Sequence, residues 1–266
     1  MWNILGYLRQ SKPLPAKYSQ YKYLSYYSGQ EPSTAEIRAR LLQSTGGSVD
    51  LEKNEETGIA TLCLNHPERR NAVSGGDLNM ARLLSNPDDG FSMAIFMQKV
   101  LHRLENLPLI SVALIEGTGA LGGGSEIAVA CDFRLLTSNA GGIAFVHTRL
   151  GITPAWGGCT RLVCKVGYTK ALDLLATGRK VSGEEALKIG IVDGIVDSEN
   201  AFTEAVEWLK IRVQSDVEVV KSLKTMARNA EVMSYDESLA EEKRLFAPLW
   251  GGPANKAALS KNIKHK

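Results

Sequence analysis

Three consecutive glycines, Gly122-Gly123-Gly124, stand between an apolar run and a segment that can continue as a helix. This junction constrains the chain more than any other stretch. Glycine has no Cβ, so the backbone there can turn sharply and approach a neighbour or a ligand closely. The run before it, Leu109–Glu116, is nearly unbroken in apolar residues, which suits a strand buried on both faces, as in a parallel sheet. The segment after it, Gly122–Cys131, can open a helix. The first N–H groups of such a helix have no acceptors of their own and point at whatever lies ahead of it.

Three readings of the junction stay open at this point. It could cradle a phosphate, although neither G-x-G-x-x-G in a proper βαβ context nor G-x-x-x-x-G-K-[ST] is present. It could aim an N–H at a carbonyl oxygen that becomes negative during a reaction, which is an oxyanion hole. It could also be a close-packed turn with no ligand.

Ahead of the junction, Ser33–Gln43 predicts a short helix, with Ser33 or Thr34 as cap and Glu36 following. Ser48–Lys53 and Ile59–Leu64 are β-prone runs separated by a glycine-containing loop, which predicts a hairpin. Beyond the junction, strands are expected over Phe133–Thr137, Gly142–Val146 and Ile191–Val196. A helix over Thr169–Ala176 stops at Gly178, and a capping box from Ser182 to Glu185 opens another that ends near Gly190. The tail reads as helical over Ala201–Arg212, Val217–Asn229 and from Ser234, where Glu237 completes a second box. Alternating strands and helices followed by a run of helices predict an α/β core with a helical C-terminal layer.

Composition narrows the function classes. The 31 basic and 29 acidic residues leave a net charge of +2, which is no electrostatic footprint for nucleic acid or an acidic membrane. No stretch approaches the length of a membrane-spanning helix. Cys63, Cys131, Cys159 and Cys164 form no C-x-x-C pair and no metal-ligand spacing, so a reducing compartment and no metal are expected. From Met1 to Gln30 there are four basic residues, no acidic one, and six of the eight tyrosines. That stretch is acid-free like a mitochondrial presequence, but Pro13 and Pro15 interrupt an amphipathic helix. A cytosolic extension is the expectation, with a mitochondrial one as the alternative.

Four segments then occur in a recognisable order: Asn65-His66-Pro67-Glu68-Arg69-Arg70-Asn71-Ala72, Ala120–Glu126, Gly151–Leu162 and Gly178–Val196. They resemble the N-x-P-x-x-x-N-A, A-x-G-G-G-x-E, G-x-x-P-x-x-G-G-x-x-R-L and G-(x)6-E-A-(x)3-G-x-V signatures of the crotonase (enoyl-CoA hydratase/isomerase) superfamily. The resemblance runs from about residue 48 to the C-terminus. It implies a ββα spiral over residues 48–200 and a helical trimerisation region over 201–266. Residues 1–47 are left as a partly disordered N-terminal extension. Trimers or hexamers are implied as well.

The resemblance further implies an acyl-CoA thioester as substrate, with coenzyme A carried on the substrate and no separate cofactor. Two backbone N–H groups would stabilise a thioester enolate. One is that of Gly123, and the other that of Gly76 in Ser74-Gly75-Gly76-Asp77-Leu78. Ala72, Ser74, Gly75, Asp77, Gly122, Pro154 and Trp156 fall at substrate-binding positions. Glu126 matches the first of the two glutamates used by family hydratases, while the second position holds His147. One carboxylate and one histidine do not reproduce the acid/base pair that hydration needs. The Phe145-Val146-His147 segment, Trp156 and the tail Leu249–Asn255 are similar to a branch that decarboxylates ethylmalonyl- and methylmalonyl-CoA. Hydratase or isomerase activity is the alternative within the family.

One departure stands out. Relatives insert a helix and a strand between the N-x-P-x-x-x-N-A segment and the Gly76 loop, whereas here Ala72-Val73-Ser74-Gly75 runs straight into Gly76-Asp77. The chain therefore reads as a spiral lacking one helix–strand turn. A catalytically silent acyl-CoA-binding protein is the competing expectation from outside the enzyme class.

Overall fold

The computed structural model describes residues 33–41, 48–56, 58–65 and 86–261. The Asn71-Ala72 segment, the Gly76 loop and the expected shortened turn all lie outside the described residues. So do Ala72, Ser74, Gly75 and Asp77.

The architecture is α/β, and consecutive strands beyond the hairpin alternate between two parallel sheets. The hairpin pairs β1 (Ser48–Asn54) with β2 (Ile59–Asn65), antiparallel, with Asn54 opposite Ile59 at the turn. β3 (Val112–Ile115), β5 (Phe133–Thr137) and β7 (Gly194–Val196) form one sheet in that order, all parallel. β4 (Ala120–Leu121) and β6 (Ile143–Ala144) form the second, with Leu121 beside Ala144. Each return from one sheet to the other turns the chain through one step of a spiral.

The apolar run at residues 109–116 forms a strand only over Val112–Ile115, and it is the outer strand of its described sheet, half-buried over three of its four residues. β5 is the central strand, half-buried at Phe133 and buried from Arg134 to Thr137, with Leu135 and Leu136 at zero exposure. The expectation of a strand buried on both faces thus belongs to β5, whose sequence Phe-Arg-Leu-Leu-Thr hides it behind a charge. Arg134 is nevertheless buried. Its Nε donates to the Ile191 carbonyl at 2.6 Å and its Nη1 to that of Cys131 at 2.9 Å, while Nη2 pairs with Asp193. A charge satisfied on every side can sit in a core that would reject it bare.

A helix that the sequence reading did not assign, α2 (Pro87–Glu105), follows α1 (Thr34–Leu41) and packs against it. Its start is conventional: the Asn86 side chain accepts from the Asp89 N–H at 2.9 Å, Pro87 occupies the first turn, and Asp88 and Asp89 complement the helix dipole. Helices α3 (Gly123–Ala130), α4 (Gly158–Val166), α5 (Tyr168–Thr177) and α6 (Gly183–Ile189) lie around the sheets. A 3₁₀ turn spans Val146–Leu150. The tail forms α7 (Ala201–Arg212), α8 (Val217–Val232), α9 (Tyr235–Phe246) and α10 (Pro253–Ser260).

The two expected capping boxes part ways. Ser234 and Glu237 form theirs in full, opening α9. Ser182 caps α6 without a side-chain bond, and the Glu185 carboxylate, which the box would turn back to the Ser182 N–H, instead accepts two bonds from Arg179, at 2.7 and 3.0 Å. A bidentate guanidinium–carboxylate pair outcompetes one neutral backbone donor.

Candidate active site

The glycine cluster is placed by the smaller sheet. Pairing of Ala120-Leu121 with Ile143-Ala144 brings the start of α3 alongside the 3₁₀ turn that carries His147. Gly122 is the corner between them. It has φ of 55° and ψ of −122°, its N–H donates to the Ala144 carbonyl at 2.9 Å, and its carbonyl accepts from the Ser125 hydroxyl at 2.6 Å. That positive φ is why glycine is needed at this position. Gly123 is the first residue of α3, so its N–H has no acceptor within the helix.

Glu126, one turn into α3, is 2% exposed. Its Oε1 accepts the backbone N–H groups of Trp156 at 2.8 Å and Gly158 at 3.0 Å. Its Oε2 lies 3.1 Å from His147 Nε2. The carboxylate therefore ties the 156–158 turn and the 3₁₀ turn to α3. Gly158 is glycine for a steric reason, since a Cβ there would overlap the Glu126 side chain. With Glu126 ionised, Nε2 must be the protonated nitrogen of His147 to make a bond, which leaves Nδ1 as the variable atom. Nδ1 is buried and has no hydrogen-bond partner among the described residues.

Trp156 is buried, with its ring against Gly123, where a Cβ would overlap Cζ3 and Cη2. The ring sits in an apolar cluster with Met97, Leu101 and Ala130, between α2 and α3. Pro154 is half-buried just before it. The structure thus brings Gly122, Gly123, Glu126, His147 and Trp156 into one neighbourhood. No group of three or more His, Cys, Asp or Glu side chains among the described residues could hold a metal ion.

A cleft of about 830 Å³ lies elsewhere, between α2, α4 and α8, and includes none of Gly123, Glu126 or His147. The cleft and the Glu126–His147 pair are thus separate neighbourhoods among the described residues.

A family model described as enoyl-CoA hydratase/isomerase matches residues 73–252. The chain is 37% identical to an ethylmalonyl-CoA decarboxylase from Xenopus laevis, covering 94% of this chain and 95% of that protein. This chain belongs to the enoyl-CoA hydratase/isomerase family. An ethylmalonyl-CoA decarboxylase from Homo sapiens is 39% identical over 86% of each chain. The structure of an enoyl-CoA hydratase from Thermoplasma volcanium GSS1 superposes with a TM-score of 0.72 at 23% identity, covering 84% of this chain and 99% of that one. That likeness shows the crotonase fold.

Gly123, Glu126, His147 and Trp156, all named from the sequence, lie together in this family member, but the sequence did not show the partners of Glu126. Its backbone donors, the N–H groups of Trp156 and Gly158, carry no side-chain signal. Arg161 lay inside a recognised motif without a role, and Glu105 lay in the unassigned helix. The Asn86-Pro87-Asp88-Asp89 start would have revealed that helix.

Proposed function

We propose that this chain decarboxylates ethylmalonyl-CoA or methylmalonyl-CoA through a thioester enolate. The bond from the α-carbon to the carboxylate breaks and its electron pair enters the thioester as the enolate. Carbon dioxide leaves, and the α-carbon takes one proton. The thioester carbonyl is the electron acceptor, so the step calls for no metal or separate cofactor. The Gly123 N–H holds the developing oxyanion, with the Gly76 N–H as the second donor. When His147 is doubly protonated, its Nδ1–H orients the departing carboxylate or supplies the proton, and the ring returns to the Nε2–H form that Glu126 holds.

The observation that carries this reading is the pairing of buried His147 with Glu126 at 3.1 Å, where hydration would need two free carboxylates. Glu126 has one oxygen occupied by two backbone donors and the other by His147. It is better placed to position the histidine than to move a proton itself. The names of the decarboxylase relatives support the same choice. The test is incubation of the purified chain with ethylmalonyl-CoA and, separately, crotonyl-CoA. Butyryl-CoA and carbon dioxide from the first, with little hydration of the second, is the expected result. Hydration alone would replace the reading.

One observation favours a silent acyl-CoA-binding protein. The alignment with the Xenopus laevis protein has 287 positions, more than the 266 residues of this chain, so that relative carries residues absent here. Thioester binding without either product would establish that alternative. The proposal also includes a homotrimer or hexamer in the cytosol, with mitochondria as the alternative location. Support for assembly comes from α10 and the turn before it, which leave Trp250 and Leu259 exposed.

A further inference from the structure

Glu105 is the last residue of α2, where the negative end of the helix dipole disfavours an acidic side chain. It is nonetheless buried, at 9% exposure. A two-pronged contact from Arg161 holds it there: Nε to Oε1 at 2.8 Å and Nη2 to Oε2 at 2.9 Å. Arg228 of α8 stands 3.6 Å from Oε2. The remaining Arg161 nitrogen, Nη1, donates to the Trp156 carbonyl at 2.7 Å. The guanidinium lies so close beneath the turn that a Cβ on Gly157 would overlap Nη1.

Trp156 is therefore gripped from two sides. Its carbonyl is fixed by Arg161, and its N–H donates to Glu126 Oε1 at 2.8 Å. The other Glu126 oxygen meets His147. We infer that Glu105 and Arg161 are positioning residues for the Glu126–His147 pair, acting through the Trp156 backbone. The inference rests on the enolate reading for its consequence in turnover, though not for its geometry. Without the Glu105 charge, Arg161 loses its carboxylate anchor and can turn toward Glu231, which lines the same cleft and already pairs with Arg228. The Trp156 carbonyl then loses its donor, the 156–158 turn relaxes, and Glu126 no longer holds His147 in one tautomer. A merely structural pair would staple α2 to α4 and leave the imidazole unaffected.

The experiment uses the full chain carrying Glu105→Gln, Glu105→Asp or Arg161→Lys. Each is read three ways: kcat and KM for ethylmalonyl-CoA, thermal midpoint, and the His147 tautomer from two-bond ¹H–¹⁵N correlations. Misplacing a reacting group by an ångström can cost about 100-fold. Glu105→Gln is expected to lower kcat about 10- to 100-fold on that basis, with KM changed by no more than about 3-fold. His147 should pass from the Nε2–H form to a tautomer mixture. Glu105→Asp should restore most of both. Arg161→Lys keeps the charge and loses the fork, so it should follow Glu105→Gln, and it serves if that variant does not fold. A lowered thermal midpoint with unchanged kcat and tautomer would overturn the inference. Should the parent chain prove inactive toward ethylmalonyl-CoA, the tautomer still decides. A shift upholds the positioning role and faults only the functional reading, and no shift refutes the positioning role.

Discussion

The parallel-stranded core and the C-terminal helices use apolar residues in opposite ways. In the core, Leu135, Leu136, Ile143 and Leu162 are wholly covered, and Phe145 nearly so. Helices α9 and α10 bury no residue at all, and Trp250 between them is 72% exposed, with Leu259 at 74%. The proposed site belongs to the first region: α3, the 3₁₀ turn and the 156–158 turn all rest on covered elements. From the tail, Arg228 reaches Glu105 and Lys224 reaches Asp132. A site that depends on backbone donors needs a rigid support, whereas exposed apolar helices await a covering surface.

That contrast has four testable consequences. The largest effect is expected at Gly123. Gly123→Pro removes the N–H, and loss of one oxyanion donor costs about 100- to 1000-fold in rate. Any side chain there also meets the Trp156 ring, so Gly123→Ala, which keeps the N–H, is the necessary control. Proline should be slower than alanine by most of that factor. Equal losses would assign the damage to the ring and not to the missing donor.

Leu135→Ala should come next. Truncating a buried leucine destabilises by about 2–5 kcal/mol. Denaturant unfolding should give an unfolding free energy lower by that amount, and a change below about 1 kcal/mol would mean the core relaxes around the truncation more than this account allows. Alkylation separates the regions in a third way. Burial, with a smaller push from Asp132, raises the Cys131 thiol to about 11. At pH 8 in the folded protein, peptide mapping should find Cys63 and Cys159, both exposed, alkylated well before Cys131. The smallest effect on the fold is expected at Trp250. Trp250→Asp should alter stability by no more than about 0.5 kcal/mol, as for most surface changes, while reducing the mass seen by sedimentation. An unchanged mass would remove the assembly role from this surface.

Much of this arrangement was legible in the residues, and the rest was hidden for identifiable reasons. The glycine junction, the alternation of strands with helices and the helical tail all follow local rules, and they emerged where expected. The strands shortened, β6 to two residues and β7 to three, because in short parallel pairs the tertiary partner sets the length, not propensity. Ser182 and Ser234 show the limit of pattern reading: the same box formed at one and was displaced at the other by Arg179, a neighbour in space. Glu126 shows it at the site. Its place in the motif was readable, but its partners are backbone groups thirty or more positions along the chain, which no residue type announces.

The central claim is that a buried carboxylate–histidine pair beside a glycine helix start serves decarboxylation and not hydration. Turnover of ethylmalonyl-CoA by the parent chain and by His147→Glu, which installs the hydratase-like second carboxylate, tests it most directly. The account predicts butyryl-CoA and carbon dioxide from the parent chain and a loss of at least about 100-fold in the variant, typical for removal of a positioned acid or base. Equal decarboxylation by both, or hydration of crotonyl-CoA as the parent chain's main activity, would contradict it.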